Sequence, residues 1–421
     1  MKNLLRNRLC RAASGLVLCF AAAVCVEAQT SNSTTTPSSL EDLTPRGAVV
    51  QYRELSKYPP ESRPLKTSNW DLLHPWTVDT PTLPLTPLSW TNQLHAMLKS
   101  GQSQAAIAQQ IGTPASFPRF HFDVNKLVLA GTQDELTARL TISPAPDNFT
   151  TLPSFHIAKA EVIGDANVDH QSVSSVPFAC VTGTHPVCTF SWKAPGAEKK
   201  YWGALKLQVT IAMDGQTDEY IAPLHFYSSP IVAGKFTGGF QERVEDGSLL
   251  IDAGVNVQKR MACFASANLY SADNEIPTHH AERRMIVDPS MKTITFTFFG
   301  KIFKDNGYAG AFRLQDLKVQ CENLPFPPEW FMDSSAHLAE LEAFKPDPTQ
   351  AAEPSRVYFE YNNFTYTTKS YSNTAFSDKE WQSPERTRKL ELMQKAAQQL
   401  EDNAAAMEAR KQQLRSEAKP Q

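Results

Sequence analysis

No Walker loop, HExxH, GxSxG or zinc-finger spacing occurs anywhere in the chain. It therefore lacks the signatures of phosphate-loop NTPases, zincins, serine hydrolases and structural zinc sites. Cysteine is scarce, with 7 residues in 421, and none has CxxC spacing. No domain carries a basic stripe, so the electrostatic footprint of nucleic-acid binding is missing. Beyond the first thirty residues no apolar run is long enough to span a bilayer. With 41% hydrophobic and 10% aromatic residues the chain can still bury cores, and its length suggests two to three domains.

The chain starts with the three parts of a secretory signal. Lys2, Arg6, Arg8 and Arg11 form a positive head, Ala12 to Val26 a short apolar run, and Val26-Glu27-Ala28 a cleavage site before Gln29. Cys25 raises a lipoprotein reading, but the preceding Val24 is bulky for it. Removing residues 1–28 takes four of the 41 bases and one of the 44 acids, leaving a net charge of −6. Three cysteines leave with the signal. Cys180, Cys188, Cys263 and Cys321 remain, and an even number in an exported chain reads as two disulfides. Three connectivities are open. Local pairing, Cys180–Cys188 and Cys263–Cys321, keeps each bridge within one module and would contribute roughly 2.5 and roughly 4 kcal/mol. Free buried thiols are the alternative.

Residues 29–66 are rich in Ser, Thr and Pro and read as a flexible leader. Residues 67–116 form a Pro-rich segment carrying Trp70 and Trp76, followed by two short helices. Leu94, Met97 and Leu98 share a face of the first; Ser103 caps a second with Ile107 and Ile111. From Phe117 the period changes to two. Leu205, Leu207, Val209, Ile211 and Met213 lie on one face of a strand, and Tyr220, Ala222, Leu224 and Phe226 on one face of another. Alternation of this kind predicts antiparallel sheets with one wet side. Residues 117–229 are expected to form one β-sandwich, with Trp192 in or near its core. Residues 230–325 are expected to form a second, with a hairpin turn at Asp246-Gly247 and a bulged strand around Gly238-Gly239. The fold class is mainly β: two tandem immunoglobulin-like sandwiches with a short N-terminal helical segment and a long C-terminal helix.

Residues 326–356 read as a linker with a short helical piece near 335–344. Residues 357–371 form a further aromatic strand with no evident hairpin partner, expected to add to a sheet edge in either sandwich or in another chain. The tail 383–419 is helical, with Ser383 as N-cap and Pro384 in the first turn. Met393, Leu400, Met407 and Leu414 recur every seven residues, with Leu390, Ala397 and Ala404 three before them. That is an a/d seam broken by Lys411. A solvated single helix would also carry it. The residues expected to touch a partner are therefore Met393, Leu400, Met407 and Leu414, together with Tyr358, Tyr361 and Tyr366.

The string FFGKIFKDNGYAGAFRLQDLKV, Phe298 to Val319, resembles the end of the bacterial choice-of-anchor X module. PIVAGKFTGGF from Pro230, EDGSLLIDAGVNV from Glu245 and ASANLYSADNEIP from Ala265 fit it in order. The resemblance covers about ninety residues. It implies a secreted or cell-surface β-sandwich and brings no catalytic residues. The chain departs from the pattern at Gly310-Ala311-Phe312, where Gly-Pro-Tyr is expected, and at Asn274, where Gly is expected. Both are turn positions.

Other chemistry is thin. Asp165 to Asp169 matches the first half of a calcium loop but has His170 and Val176 where glycine and an acid belong. His279 and His280 are adjacent, and neighbours on a strand point to opposite faces, which argues against shared metal ligation. Three N-x-T sequons stand at Asn32, Asn148 and Asn363. The expectation is a non-catalytic exported protein in the periplasm or on the cell surface, without cofactor or metal. It would dock a protein partner or a second copy through its tail helix and aromatic strand. A carbohydrate-binding or cell-wall hydrolytic envelope protein is the alternative.

Overall fold

The computed structural model describes residues 44–77, 80–99, 117–144, 154–164, 173–181, 187–194, 201–347 and 353–417. The chain divides into a sandwich body, 61–377, and a helical unit drawn from the residues before and after it. Among the described residues the helices of five residues or more are α1 (Pro45–Leu55), α2 (Leu88–Lys99), α3 (Gly300–Asn306), α4 (Pro328–Met332), α5 (Leu338–Ala343) and α6 (Pro384–Glu417), and single turns stand at Trp70–Leu73 and Asn373–Ala375.

In the sandwich body the chain begins with β1 (Ser62–Pro64), β2 (Leu83–Pro84) and β3 (Thr86–Pro87). The first sandwich follows: β4 (Arg119–Val124), β5 (Val128–Ala130), β6 (Glu135–Ser143), β7 (Phe155–Gly164), β8 (Val173–Ser175), β9 (Phe178–Val181), β10 (Val187–Lys193), β11 (Gly203–Met213) and β12 (Glu219–Ser229). One sheet runs β2-β4-β6-β10-β9. The other runs β3-β12-β11-β7-β8, with β5 added in parallel beside β12. This is an immunoglobulin topology read from the strand order: A-B-E-D against C′-C-F-G, with the first strand switching sheets to pair with the last. Leu205, Leu207, Val209 and Ile211 of β11 and Phe122, Leu136, Leu140, Phe190 and Trp192 of the facing sheet fill the core. The alternation in sequence is the alternation between core and solvent. Cys180 and Cys188 sit directly opposite each other on β9 and β10 and are bonded.

The second sandwich comprises β13 (Val232–Glu245), β14 (Ser248–Val257), β15 (Met261–Ser271), β16 (Pro277–Val287), β17 (Thr293–Phe298), β18 (Phe312–Glu322), β19 (Arg356–Phe359) and β20 (Tyr366–Thr367). The order is β1-β16-β15-β18-β19-β13-β14-β17, with β20 also on β18. β17 returns to lie against β16 and β15, so one continuous sheet folds over its own core. β13 is bulged between Phe236 and Phe240, where Gly238 has φ +80. Asp246 (φ 50) and Gly247 (φ 71) make the hairpin turn into β14. Gly300, at the start of α3, passes so close to this turn that a Cβ would lie 1.9 Å from the Gly247 carbonyl oxygen. Cys263 and Cys321 face each other on β15 and β18 and are bonded.

Three expectations about boundaries are corrected here. The aromatic strand is not an appendage. β19 sits inside the sheet, antiparallel to β18 and parallel to β13, as the seventh immunoglobulin strand. The second sandwich therefore does not end at 325, and 326–356 is not an interdomain linker. It is an insertion between the last two strands that carries α4 and α5, with α4 packed on β15 and β16. Nor is 29–66 wholly a flexible leader. Ser62–Pro64 extends the sheet beyond β16, and Pro45–Leu55 is helical because Thr44 caps it and Pro45 starts it. Of the two helices expected near 89–113, the first is α2. The second lies outside the described residues, as do Asp165–Asp169 and the sequons at Asn32 and Asn148.

In the helical unit α1 packs along the first half of α6. The Ser383 hydroxyl accepts from the Arg386 amide at 3.0 Å, which is the N-cap the sequence announced. Among the described residues no helix is long and apolar enough to cross a membrane.

Candidate functional site

The aromatic residues expected to meet a partner separate into two groups. Val357, Tyr358 and Phe359 of β19 are buried, Tyr358 to 3% exposure. Its phenol packs between Trp76 (6.1 Å) and Tyr227 (5.8 Å), where the two sandwiches meet. The Tyr227 hydroxyl donates to the Arg356 carbonyl and accepts from the Arg356 amide, both at 3.0 Å, which ties β12 to β19. Burial pushes the Tyr227 phenol up. Tyr358 as a partner contact is therefore a correction: the sequence showed an aromatic strand but not that a preceding segment, ending at Trp76, covers it. Tyr366 is half-buried and stacks on Phe240 at 5.2 Å. Tyr361 is 39% exposed, edge-on to Trp76 at 5.3 Å, with Lys126 Nζ 3.7 Å from its ring centre. Lys126 in turn pairs with Asp134, both nearly buried.

Residues 62–76 act as a strap across the second sandwich. β1 pairs with β16; the Leu72 carbonyl accepts from Asn268 Nδ2 at 2.6 Å; the Pro75 carbonyl accepts from Lys318 Nζ at 2.7 Å. The Trp76 carbonyl accepts from the Leu127 amide of the first sandwich at 2.7 Å. Only Pro230 and Ile231 separate β12 from β13. Strap, short connection and aromatic contact together make the joint stiff.

Beneath the strap lies a polar chain. Asp316 stands at a bulge of β18 with φ 58, a conformation unusual for a residue other than glycine. Its Oδ2 accepts from Tyr270 Oη (2.5 Å) and Asn268 Nδ2 (3.0 Å); Asn268 Oδ1 lies 2.8 Å from His280 Nδ1. His280 Nε2 is 3.5 Å from Glu282, which also meets Arg63 of β1 at 3.2 Å. Burial opposes charge on Glu282, but His280 and Arg63 outweigh it and hold the carboxyl below its ordinary range. Burial and the Asp316 carboxylate push the Tyr270 phenol up. These groups bond to one another and fasten the strap. His279 points the other way, into the core against Phe298 and Phe303, and burial depresses its pKa to about 3. Among the described residues no three His, Cys, Asp or Glu side chains are placed to hold a metal ion.

An exposed apolar stripe runs along α6, which at 34 residues is about 51 Å long. α1 runs antiparallel to it. Arg46 meets Glu401 at 2.6 Å, the Lys389 ammonium lies 4.8 Å from the Tyr52 ring, and Arg386 Nε donates to Ser56 Oγ at 3.1 Å. Val49 and Ala397 are buried in this contact, and Met393 is half-buried. From Leu400 onward the stripe continues uncovered: Leu400, Met407 and Leu414 are 57%, 63% and 57% exposed. The heptad expected from sequence therefore divides, its first half closed within the chain and its second half open.

The strand order and the helix define a class: a pair of immunoglobulin-topology sandwiches joined to a helical unit with an open apolar stripe. No family model and no curated protein matches the chain. Among solved structures it is similar to a DUF4785 family protein from Legionella pneumophila, with TM-score 0.35 and 14% identity over 48% of this chain and 53% of that one. It is also similar to the ectodomain (Ig1–Ig3) of mouse nectin-like molecule 4, with TM-score 0.18 and 11% identity over 47% and 58%. The matched regions span about half the length of these solved proteins.

Proposed function

We propose that the chain is a non-catalytic exported protein of a bacterial envelope or cell surface. In this reading the two sandwiches serve as a stiff spacer and α6 as the element that docks an amphipathic helix. The observation that carries it is the stripe Leu400–Met407–Leu414, which continues a face already covered once by a helix of the chain itself. Large side chains on an otherwise polar helix are the pattern of helix-in-groove or helix-pair recognition. Export is supported by the signal-like first 28 residues and by two formed disulfides, which persist in oxidising compartments. The resemblance of Pro230–Val319 to choice-of-anchor X modules fits a surface or envelope setting. Tyr358 of the aromatic strand, by contrast, is used up in the joint.

A photoreactive residue at Met407, introduced in the cell that makes the protein, tests the reading. It should crosslink to a peptide that mass spectrometry maps to an amphipathic helix, whereas the same label at exposed Lys159 of β7 should not. Met407 giving no more product than Lys159 would reject it.

A further inference from the structure

We infer that the helix docked on the open half of α6 is the same segment of a second copy, laid antiparallel. The inference rests on the docking role proposed for α6 and names its occupant. Three observations carry it. First, the chain already covers this face with an antiparallel helix. α1 spans only 11 residues, about 16 Å, and stops at the Arg46–Glu401 pair. The remaining face carries Ala404, Met407, Lys411 and Leu414 with the a/d spacing intact.

Second, the charges fit one direction better than the other. Glu408 precedes Arg410 and Lys411 in sequence, and Glu417 ends the helix. In the antiparallel register given below, Glu408 of each helix lies level with Arg410 of the other. A parallel copy in register sets Glu408 on Glu408 and Arg410 on Arg410, which is unfavourable. Third, residues 29–43, QTSNSTTTPSSLEDL, have only Leu40 and Leu43 as large apolar residues. They cannot supply a matching stripe from the chain itself.

The register follows from α1. Pairing must stay clear of Ala397, which α1 occupies. Of the registers that stay clear of it, the one with the longest overlap sets Ala404 against Leu414 of the second copy and Met407 against its Lys411. The small Ala404 lets the helices approach. With so few layers the association is weak, and it will be seen as a rise in mass with concentration.

The test uses the full chain with its disulfides formed. Light scattering over a range of concentrations should approach twice the monomer mass, and Met407→Glu with Leu414→Glu should hold the protein at the monomer with unchanged circular dichroism. Ala404→Cys and Leu414→Cys proteins, oxidised mildly, should form a covalent dimer when mixed and several-fold less when each is alone. Efficient dimer formation by each alone means parallel pairing and overturns the inference. So does a mass that stays at the monomer at every concentration. If that happens while Met407 still crosslinks to a different protein's helix in the cell, self-pairing has failed and the docking role stands. If neither signal appears, both fail.

Discussion

His279 shows how one buried side chain sets a pH limit. In the folded chain burial holds its pKa near 3; in the unfolded chain it returns to about 6.5. Between those values the unfolded state binds the extra proton. Stability is fully present above pH 6.5 and falls as pH drops through the window, by at most about 1.4 kcal/mol per unit. His279→Leu should remove that slope, so that the difference in urea midpoint between pH 7.5 and pH 4.5 shrinks relative to the parent. An undiminished difference would show that His279 does not control it. Tyr358 makes a second case. It closes the joint against Trp76 and Tyr227, so Tyr358→Ala opens a cavity there and should cost about 3–5 kcal/mol of stability, read by denaturant unfolding. A surface aromatic contact would cost well under 1 kcal/mol.

At the scale of elements the two bridges differ in access. Cys180 is exposed on β9, an edge strand whose four residues are all exposed, whereas Cys263 and Cys321 are fully buried. Thiol exchange needs the attacking thiolate to reach the sulfur. A mild dithiol should therefore open Cys180–Cys188 while Cys263–Cys321 stays closed until denaturant is added; alkylation and mass mapping would show simultaneous loss if this is wrong. Much at this scale was legible in the sequence. Period-two runs such as Leu205–Met213 placed strands, Asp246-Gly247 marked its turn, Ser383-Pro384 marked a helix start, and module locality gave both disulfides. β19 was visible as a strand but not as an interior one. Its partners β18 and β13 are separated from it by an insertion and by most of the second sandwich, and no local pattern reports such distant pairing. α1 was missed because its leader is polar in composition and only Val49 is buried. The heptad showed a seam on α6, but only the fold shows that α1 occupies part of it.

For the whole molecule, the second sandwich is assembled from separated pieces of chain: β1 before the first sandwich, β13 to β18 after it, and β19 and β20 beyond the insertion. Ending the chain after Pro325 should thus leave the first sandwich folded and the second without its seventh strand. Limited proteolysis would then cut between 232 and 322 while sparing 119–229; equal resistance of both would refute it. The helical unit is likewise drawn from both ends of the chain. This nesting has a consequence for a polypeptide threaded through a membrane from its N-terminus. Under the export proposed above, the innermost module would fold as soon as it emerged, while the segments that flank it would wait, outermost last, for partners not yet across. Premature release of the C-terminal portion would leave the earliest segments to emerge without the contacts that hold them.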